Sequence, residues 1–414
     1  MVAQPAPSLG QAPTGWPQLL GPTRDGHAAG DVTGPWPSKL AATWDIEVGT
    51  GFASPIVLGP QVFLFQRVDD SEGLWAYDLT TGKQRWKATW TSNFRASINN
   101  DDGPRSTPAI TPSGLAICFG AEGHAAAVDL RSGEIKWQRP LRKQINAPDG
   151  YFGAGTSPLV FGDRVVICAG GKRSGAGVVC LDTESGETIW QATNYESSYS
   201  SPVLVKLDQR DCILAPMRLN TVLLDAQTGA VIGEVGFGSR GPTVNAASPI
   251  TVGENKYWLT SNYGIGTSVV KAKADALQTL TVKNRVLSSH YNTPVFAGSV
   301  LYGIDGYEGR GISLRAIDPD SYEVLWQKDN FSTAHLLACG ENLLALNLEG
   351  KLRAIATSTT EYLEIAATQL AAPGQICRAA PALLGQTLLV RTSSENFSPT
   401  GHLLRVDLVP RKLK

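Results

Sequence analysis

The residues best suited to do chemistry are polar and aromatic side chains in the segments between predicted strands. They place hydrogen-bonding groups beside flat apolar rings, a combination that suits an extended peptide or a small polyhydroxylated molecule. The candidate binding residues are Arg95, Arg105, Tyr151, Tyr199, Arg240, Asn245, His290, Tyr291 and Arg378. The competing interpretation is that each one bonds only to loop backbone and solvent.

No spacing of residues predicts a catalytic or metal-binding centre. Asp101-Asp102 offers the oxygen ligands that calcium prefers, but NNDDGP lacks EF-hand spacing and is typical of a turn. His290 and His335 stand in different repeats with no identifiable nucleophile nearby, which favours hydrogen-bonded loop residues. Ser198–Pro202 indicates the start of a strand, because GxSxG and a following helix are absent. We therefore expect no catalytic residue and no metal ligand.

Composition excludes several classes of function and favours an all-β fold. A formal net charge of −1 over 414 residues provides no field for binding nucleic acid. No apolar run approaches the roughly 20 residues that span a bilayer, so no transmembrane segment is expected. Abundant Gly and Pro, with ten Trp, favour short strands joined by tight turns.

The six cysteines show neither CxxC spacing nor a dense disulfide pattern. Cys168 and Cys180 flank one predicted hairpin, which leaves a cross-strand bond open, but buried free thiols are the favoured interpretation.

The chain is organised by a repeated hairpin in which an Asp stands eight residues before a Trp. The motif occurs at Ala76–Trp86 (AYDLTTGKQRW), Ala127–Trp137, Cys180–Trp190 and Ala316–Trp326. It predicts a strand that ends at the Asp, a turn whose amides bond to the carboxylate, and a second strand that carries the Trp inward. Gly82, Gly133 and Gly186 can adopt the positive φ that such a turn needs.

A second pattern, a small residue and Pro followed by Gly, marks eight units spaced about 41 to 53 residues apart. Its small-Pro pairs begin at Ser54, Thr107, Ser157, Ser201, Ser248, Thr293 and Ala380, and one unit has Leu336 in place of Pro. This period is typical of four-stranded propeller blades. Each Pro would begin the first strand of its blade, where a missing N–H costs no ladder bond.

The two ends of the chain are expected to build one blade together. The last unit stops before its fourth strand, and Lys39–Val48, with Trp44 in the place of the repeated Trp, supplies it. We predict a flexible tether at 1–15, an ordered cover without strands at 16–38, and one eight-bladed β-propeller at 39–414. Units four, five and seven lack the repeated Trp, and we expect neighbouring Leu and Val side chains to fill the space.

The combined motifs resemble the pyrroloquinoline-quinone-like (PQQ-like) repeat family from Trp44 to Val409. The resemblance implies a propeller in which the repeated tryptophans dock each blade on the next. These docking residues would be Trp44, Trp86, Trp137, Trp190 and Trp326.

That family contains quinoprotein dehydrogenases and non-catalytic propellers, including the lipoprotein of the outer-membrane barrel-assembly machinery. The enzymes carry adjacent cysteines and a Glu/Asn/Asp set on calcium, which this sequence lacks. We therefore expect a non-enzymatic scaffold that binds a protein or ligand, acts as a monomer and has no cofactor. The alternatives are a PQQ- and calcium-dependent dehydrogenase of alcohols or sugars, and the sensor portion of an envelope signalling system.

The expected location is the periplasm or another exported compartment. WPQLLGPTRDG at Trp16–Gly26 resembles the entry segment of exported bacterial members of this family. MVAQPAPSLGQAPTG has neither a basic nor an apolar stretch, so we expect that an export signal has been removed.

Overall fold

The computed structural model describes residues 15–30, 32, 36, 40–98, 101–283, 285–395 and 400–408. Eight antiparallel sheets form a ring, which confirms the predicted eight-bladed β-propeller. Residues 1–14 of the expected tether at 1–15 lie outside the described residues, and Gly15 belongs to a strand. All six cysteines are free and buried, as expected. No helix in the described ranges is long and apolar enough to cross a bilayer.

The strands follow the chain from blade to blade, after three that precede the first blade. The first three are β1 (Gly15–Trp16), β2 (His27–Ala28) and β3 (Ala42–Val48). Blades 1 to 4 contain β4 (Ile56–Leu58), β5 (Gln61–Val68), β6 (Ser71–Asp78) and β7 (Gln84–Thr91); β8 (Ala109–Ile110), β9 (Leu115–Phe119), β10 (Ala125–Asp129) and β11 (Ile135–Arg139); β12 (Leu159–Phe161), β13 (Arg164–Ile167), β14 (Val178–Asp182) and β15 (Thr188–Ala192); β16 (Val203–Leu207), β17 (Arg210–Pro216), β18 (Asn220–Asp225) and β19 (Val231–Gly236).

Blades 5 to 8 repeat the arrangement, and the last is completed by the N-terminal β3. They contain β20 (Ile250–Gly253), β21 (Lys256–Ser261), β22 (Gly266–Lys273) and β23 (Ala276–Lys283); β24 (Val295–Ala297), β25 (Val300–Tyr307), β26 (Arg310–Ile317) and β27 (Val324–Asp329); β28 (Ala334–Cys339), β29 (Asn342–Asn347), β30 (Lys351–Ala356) and β31 (Leu363–Gln369); β32 (Gln375–Ile376), β33 (Ala382–Leu384), β34 (Thr387–Ser394) and β35 (Gly401–Asp407). One short helix, α1 (Leu141–Gln144), and one 3₁₀ turn, Lys172–Ser174, interrupt the strands.

The ring closes where the two ends of the chain meet in blade 8. Strand β3 pairs antiparallel with β35, from Ala42 opposite Val406 to Val48 opposite Gly401, as the sequence predicts. Arg391 on β34 reinforces the junction with blade 1, since its buried guanidinium donates to four backbone carbonyls. The acceptors are the carbonyls of Gly49, Thr50, Ala53 and Phe65, at 2.6 to 3.1 Å. Burial lowers the pKa of Arg391 to about 10, so it stays charged at neutral pH.

Residues 15–30, which precede β3, cross the central channel. We call them the crossing segment. β1 pairs with β4 of blade 1, and β2 pairs in parallel with β28 of blade 7. Between them, the buried Arg24 donates to the carbonyl oxygens of Ser157 (3.3 Å) and Pro158 (2.9 Å) in blade 3. The expectation that this segment contains no strand was therefore wrong, because β1 and β2 pair with strands of two blades.

The predicted turn after each repeated Asp is present. Asp78 Oδ1 accepts the amides of Thr80 and Thr81 at 2.9 and 2.8 Å, and Gly82 has a φ of +70°. Blade 6 has Tyr322 in place of the Gly, with a φ of +61°. Its ring packs 6.1 Å from that of Trp258 in blade 5, whose own unit lacks the repeated Trp.

The repeated tryptophans contact the turn of the following blade. A Cβ atom on the turn Gly of that blade would stand 2.5 to 3.0 Å from the indole of Trp44, Trp86, Trp137 or Trp190. The indole N–H of Trp44, Trp137, Trp190 and Trp326 donates to a backbone carbonyl of the next blade at 2.9 to 3.1 Å. Within the described residues, the indole N–H of Trp86 has no partner. The contribution of these contacts to stability stays a prediction.

Blade 4 lacks the repeated Trp, and the backbone of blade 5 approaches closely at that position. Gly233 stands where the Trp is expected, and a Cβ there would lie 2.3 Å from the backbone nitrogen of Leu277. In blade 5, a two-residue connection between β22 and β23 stands where blades 1 to 4 have the Asp–Gly turn of the repeated motif. For blade 4, the expectation that Leu and Val side chains fill this space was wrong, because the backbone of blade 5 occupies the position beside Gly233.

The indole N–H of Trp137 donates a hydrogen bond to the next blade, whereas that of Trp86 has no partner among the described residues. Replacing each in turn should separate the contribution of the hydrogen bond from that of packing. Trp137→Phe loses the bond to the carbonyl of Thr183 and leaves that acceptor without its partner. We expect it to lower the free energy of unfolding by about 1 kcal/mol more than Trp86→Phe. Urea denaturation of both variants measures the difference. Equal losses would contradict a stabilising role for the inter-blade hydrogen bond.

Candidate functional site

A ring of Ser and Thr hydroxyls surrounds the channel where the innermost strands begin. The backbone N–H of one blade donates to the hydroxyl of the next blade: Ser54 to Thr107 (3.0 Å), Thr107 to Ser157 (2.9 Å), Ser157 to Ser201 (2.9 Å), Ser201 to Ser248 (3.4 Å) and Ser248 to Thr293 (3.0 Å). These are the small residues that precede Pro in the sequence. We call them the hydroxyl ring. It ties six consecutive blades together.

Blades 7 and 8 interrupt the hydroxyl ring. His335 and Ala380 occupy the equivalent positions. The Nε2 atom of His335 lies 2.9 Å from the backbone oxygen of Arg378, in the segment that enters blade 8. Burial lowers the pKa of His335 to about 4, so the imidazole is neutral at pH 7.

A cavity of about 300 Å³ lies inside the hydroxyl ring, at the lower end of the range for ligand pockets. Leu19 and Leu20 of the crossing segment contribute to its lining, together with the ring hydroxyls. The remaining walls come from two loops of blades 5 and 6 and from the segments that lead from the last strand of one blade to the innermost strand of the next. We call the latter the entry segments. The cavity therefore combines hydroxyls, aromatic rings and two arginines.

Arg105 forms one side of the cavity between two aromatic rings. Its guanidinium carbon stands 5.3 Å from the centroid of Phe52 and 5.1 Å from that of Phe152. It donates to the backbone oxygens of Phe152 (2.9 Å) and Asp101 (3.0 Å), and lies 3.4 Å from the Asp101 carboxylate. The two aromatic rings and the polar contacts hold this guanidinium in one orientation.

Arg378 also approaches the ring of Phe52, at 5.7 Å from the ring centroid. Its two terminal nitrogens donate to the two carboxylate oxygens of Glu308 at 2.8 and 2.7 Å. Glu308 belongs to the loop between β25 and β26, so this bidentate pair connects blade 6 with the entry to blade 8. The charge of Arg378 is thereby balanced.

An aromatic cluster forms the opposite wall. Tyr263 Oη and His290 Nε2 are 3.0 Å apart, and the rings of His290 and Tyr307 are tilted by 31° with centroids 4.2 Å apart. Burial lowers the pKa of His290 below its usual value, which favours the neutral imidazole.

The structure brings five of the nine candidate binding residues to the cavity and leaves four outside it. Those that line it are Arg105, Tyr199, His290, Tyr291 and Arg378. Asn245 is buried, and its side-chain amide donates to the backbone oxygens of Met217, Arg218 and Phe237. Arg95 pairs with Asp70 at 2.7 Å near the surface. Tyr151 lines a neighbouring depression, and Arg240 is exposed.

Among the residues that line the cavity and that sequence reasoning missed are three aromatic ones, Phe52, Tyr263 and Tyr307. Tyr263 and Tyr307 stand in or beside loops between the second and third strands of their blades. These loops lie on the same face as the entry segments, a topological signal that could have found them. The run of hydroxyls before Pro was a second signal.

The site does not fit the calcium that quinoprotein dehydrogenases hold. The acids near the mouth already have partners: Asp101 with Arg105, Glu308 with Arg378, and Asp305 with Arg315 at 3.0 Å and the amide of Ser288 at 2.7 Å. Across the described part of the chain, no three His, Cys, Asp or Glu side chains are grouped to hold a metal. We derive no chemical step through calcium or a quinone.

Sequence comparison identifies the family. The family model described as "Outer membrane protein assembly factor BamB" matches residues 41–209 and 76–312. The chain belongs to this family. The match confirms the resemblance to PQQ-like repeat proteins. No curated protein sequence matches the chain.

Solved structures share the fold at low sequence identity. BamB from Moraxella catarrhalis is 16% identical, with a TM-score of 0.62 over 88% of this chain and 99% of that chain. A europium-containing methanol dehydrogenase is 11% identical, with a TM-score of 0.68 over 95% and 98%. A quinohemoprotein alcohol dehydrogenase from Pseudomonas putida HK5 is 13% identical, with a TM-score of 0.66 over 97% and 81%. At these identities the similarity shows the fold alone.

The neutral state of His335 predicts a specific dependence of stability on pH. An unfolded histidine titrates near 6.5 and folded His335 at about 4, so the unfolded state binds more protons in this window. Stability therefore falls as the pH falls from 6.5 to 4. Replacing His335 by Gln should remove up to about 3 kcal/mol of this loss. Denaturant unfolding of wild type and H335Q at pH 7 and pH 4 measures it, and equal losses would contradict the buried neutral imidazole.

Proposed function

We propose that this protein is a non-enzymatic binding scaffold of the bacterial cell envelope, located in the periplasm or exported. In this role it holds a protein partner or a small ligand at the channel mouth. Membership of the BamB family supports a role in the envelope. The BamB structure supports the propeller fold on which this proposal is built.

The observation that carries this proposal is the pairing of charged groups around the cavity. Asp101 and Glu308 each bond to an arginine, so neither is a free ligand for a cation or a free general base. His335 is neutral and bonded to backbone, and His290 contacts Tyr263. What remains for a ligand is a fixed surface of rings and hydroxyls, which supports binding rather than proton transfer.

The closed ring supports the use of loops as the recognition surface. Hydrogen bonds between blades fix the innermost strands, whereas the connections at the mouth vary in length and composition. Binding residues are commonly placed on loops that a rigid scaffold positions. An extended peptide can lie across such loops, and a polyhydroxylated molecule can enter the cavity. We propose that the scaffold acts as a monomer and does not bind nucleic acid.

Photo-crosslinking in cells of the bacterial host tests the proposed binding face. A photo-reactive amino acid replaces Arg240, which is exposed in the entry segment of blade 5. The matched control replaces Asp163, exposed in the turn between β12 and β13, which propeller topology places on the opposite face. We expect a discrete envelope partner at position 240 and not at 163. Crosslinks from 163 alone, or equally from both positions, would contradict a partner at the channel mouth.

A further inference from the structure

We infer that the central cavity binds a neutral polyhydroxylated molecule about the size of a single sugar ring. This inference rests on the proposed function of a non-enzymatic binding protein and specifies the class of ligand. Three features of the cavity carry it: its unused hydroxyl donors, its aromatic walls and its balanced charge.

The hydroxyl ring presents donors to the interior. Thr107, Ser157, Ser201, Ser248 and Thr293 all line the cavity, and each hydroxyl oxygen accepts a backbone N–H from the preceding blade. A hydroxyl can also donate its own proton, and no such bond is formed by these five within the described residues. The ring therefore offers fixed oxygens with protons available to acceptors of a ligand.

The walls suit the apolar faces of a saturated ring. Phe52 and Phe152 stand on one side, and Tyr263, His290 and Tyr307 on the other. The C–H groups of a sugar ring carry a slight positive charge, which matches the negative face of an aromatic ring. Its hydroxyls would meet the donors of the hydroxyl ring.

The charge of the lining favours a neutral ligand. Arg105 and Arg378 contribute two positive charges, and their partners Asp101 and Glu308 contribute two negative ones. Two imidazoles in the lining are neutral. A charged ligand would lose hydration on entry, and each arginine of the lining is already paired with a carboxylate.

Three sugars of nearly the same shape and different charge test this inference. At pH 6, where the amine of glucosamine is protonated, glucose is neutral, glucuronate carries one negative charge and glucosamine one positive charge. Saturation-transfer NMR on the full chain measures the dissociation constant of each. We expect glucose to bind at least about tenfold more tightly than either charged analogue. Tighter binding of glucuronate or glucosamine, or no binding of any of the three, would overturn the inference.

Charge variants then locate the binding. Glu308→Gln leaves Arg378 without a balancing charge and should shift the preference toward glucuronate. Arg378→Met leaves Glu308 and should shift it toward glucosamine. The double variant E308Q/R378M is neutral again and should recover the preference for glucose. Unchanged preferences in both single variants, with melting curves like that of wild type, would overturn the placement of the ligand in this cavity.

The same samples separate failure of this inference from failure of the proposed function. Oxidation of bound glucose by an added electron acceptor would refute the non-enzymatic role and leave the ligand class intact. Absence of sugar binding, together with a crosslinked partner at the mouth, would refute the ligand class and leave the scaffold role intact.

Discussion

The pairing of β3 with β35 is the interaction on which the rest of the structure depends. A propeller blade contacts mainly its two neighbours, so an open ring would leave the apolar flanks of blades 1 and 8 in water. Joining the two ends of the chain in one sheet removes that exposure. The buried guanidinium of Arg391 adds a polar connection at the same place, with four carbonyls of residues that lead into or belong to blade 1.

Closure of the ring also creates the site. The cavity is lined by residues as distant in sequence as Leu19 and Ala380, and only the circular arrangement brings them together. The hydroxyl ring fixes the starts of the innermost strands relative to one another. The crossing segment, fixed to blades 1, 3 and 7, supplies Leu19 and Leu20. The cavity is thus a consequence of how the blades are joined, and it does not depend on any single loop.

The sequence was sufficient to predict the fold because its periodic motifs have direct structural causes. Asp78 and Gly82 specify a turn by themselves, and the same pair at a fixed distance from Trp86 repeats along the chain. The blade shared by both termini followed from counting strands. In contrast, the backbone contact at Gly233 depends on the short connection of the next blade, which the motif does not encode.

The site was less predictable, because side-chain direction depends on packing. Asn245 and Arg105 both stand in polar entry segments, yet Asn245 bonds to three backbone carbonyls and Arg105 lines the cavity. Tyr263 and Tyr307 reach the cavity from loops of other strands, and no local pattern marks them. The hydroxyl ring could have been found, since all six of its residues directly precede Pro at regular intervals.

The charges at the propeller mouth are paired, and we propose that the mouth holds neither a quinone nor calcium. Titrating the purified protein with pyrroloquinoline quinone, with and without calcium chloride, tests it most directly. Absorbance reports the quinone and a thermal scan reports any stabilisation by binding. The account predicts no saturable change in either signal. Stoichiometric binding that raises the unfolding temperature in a calcium-dependent manner would contradict it.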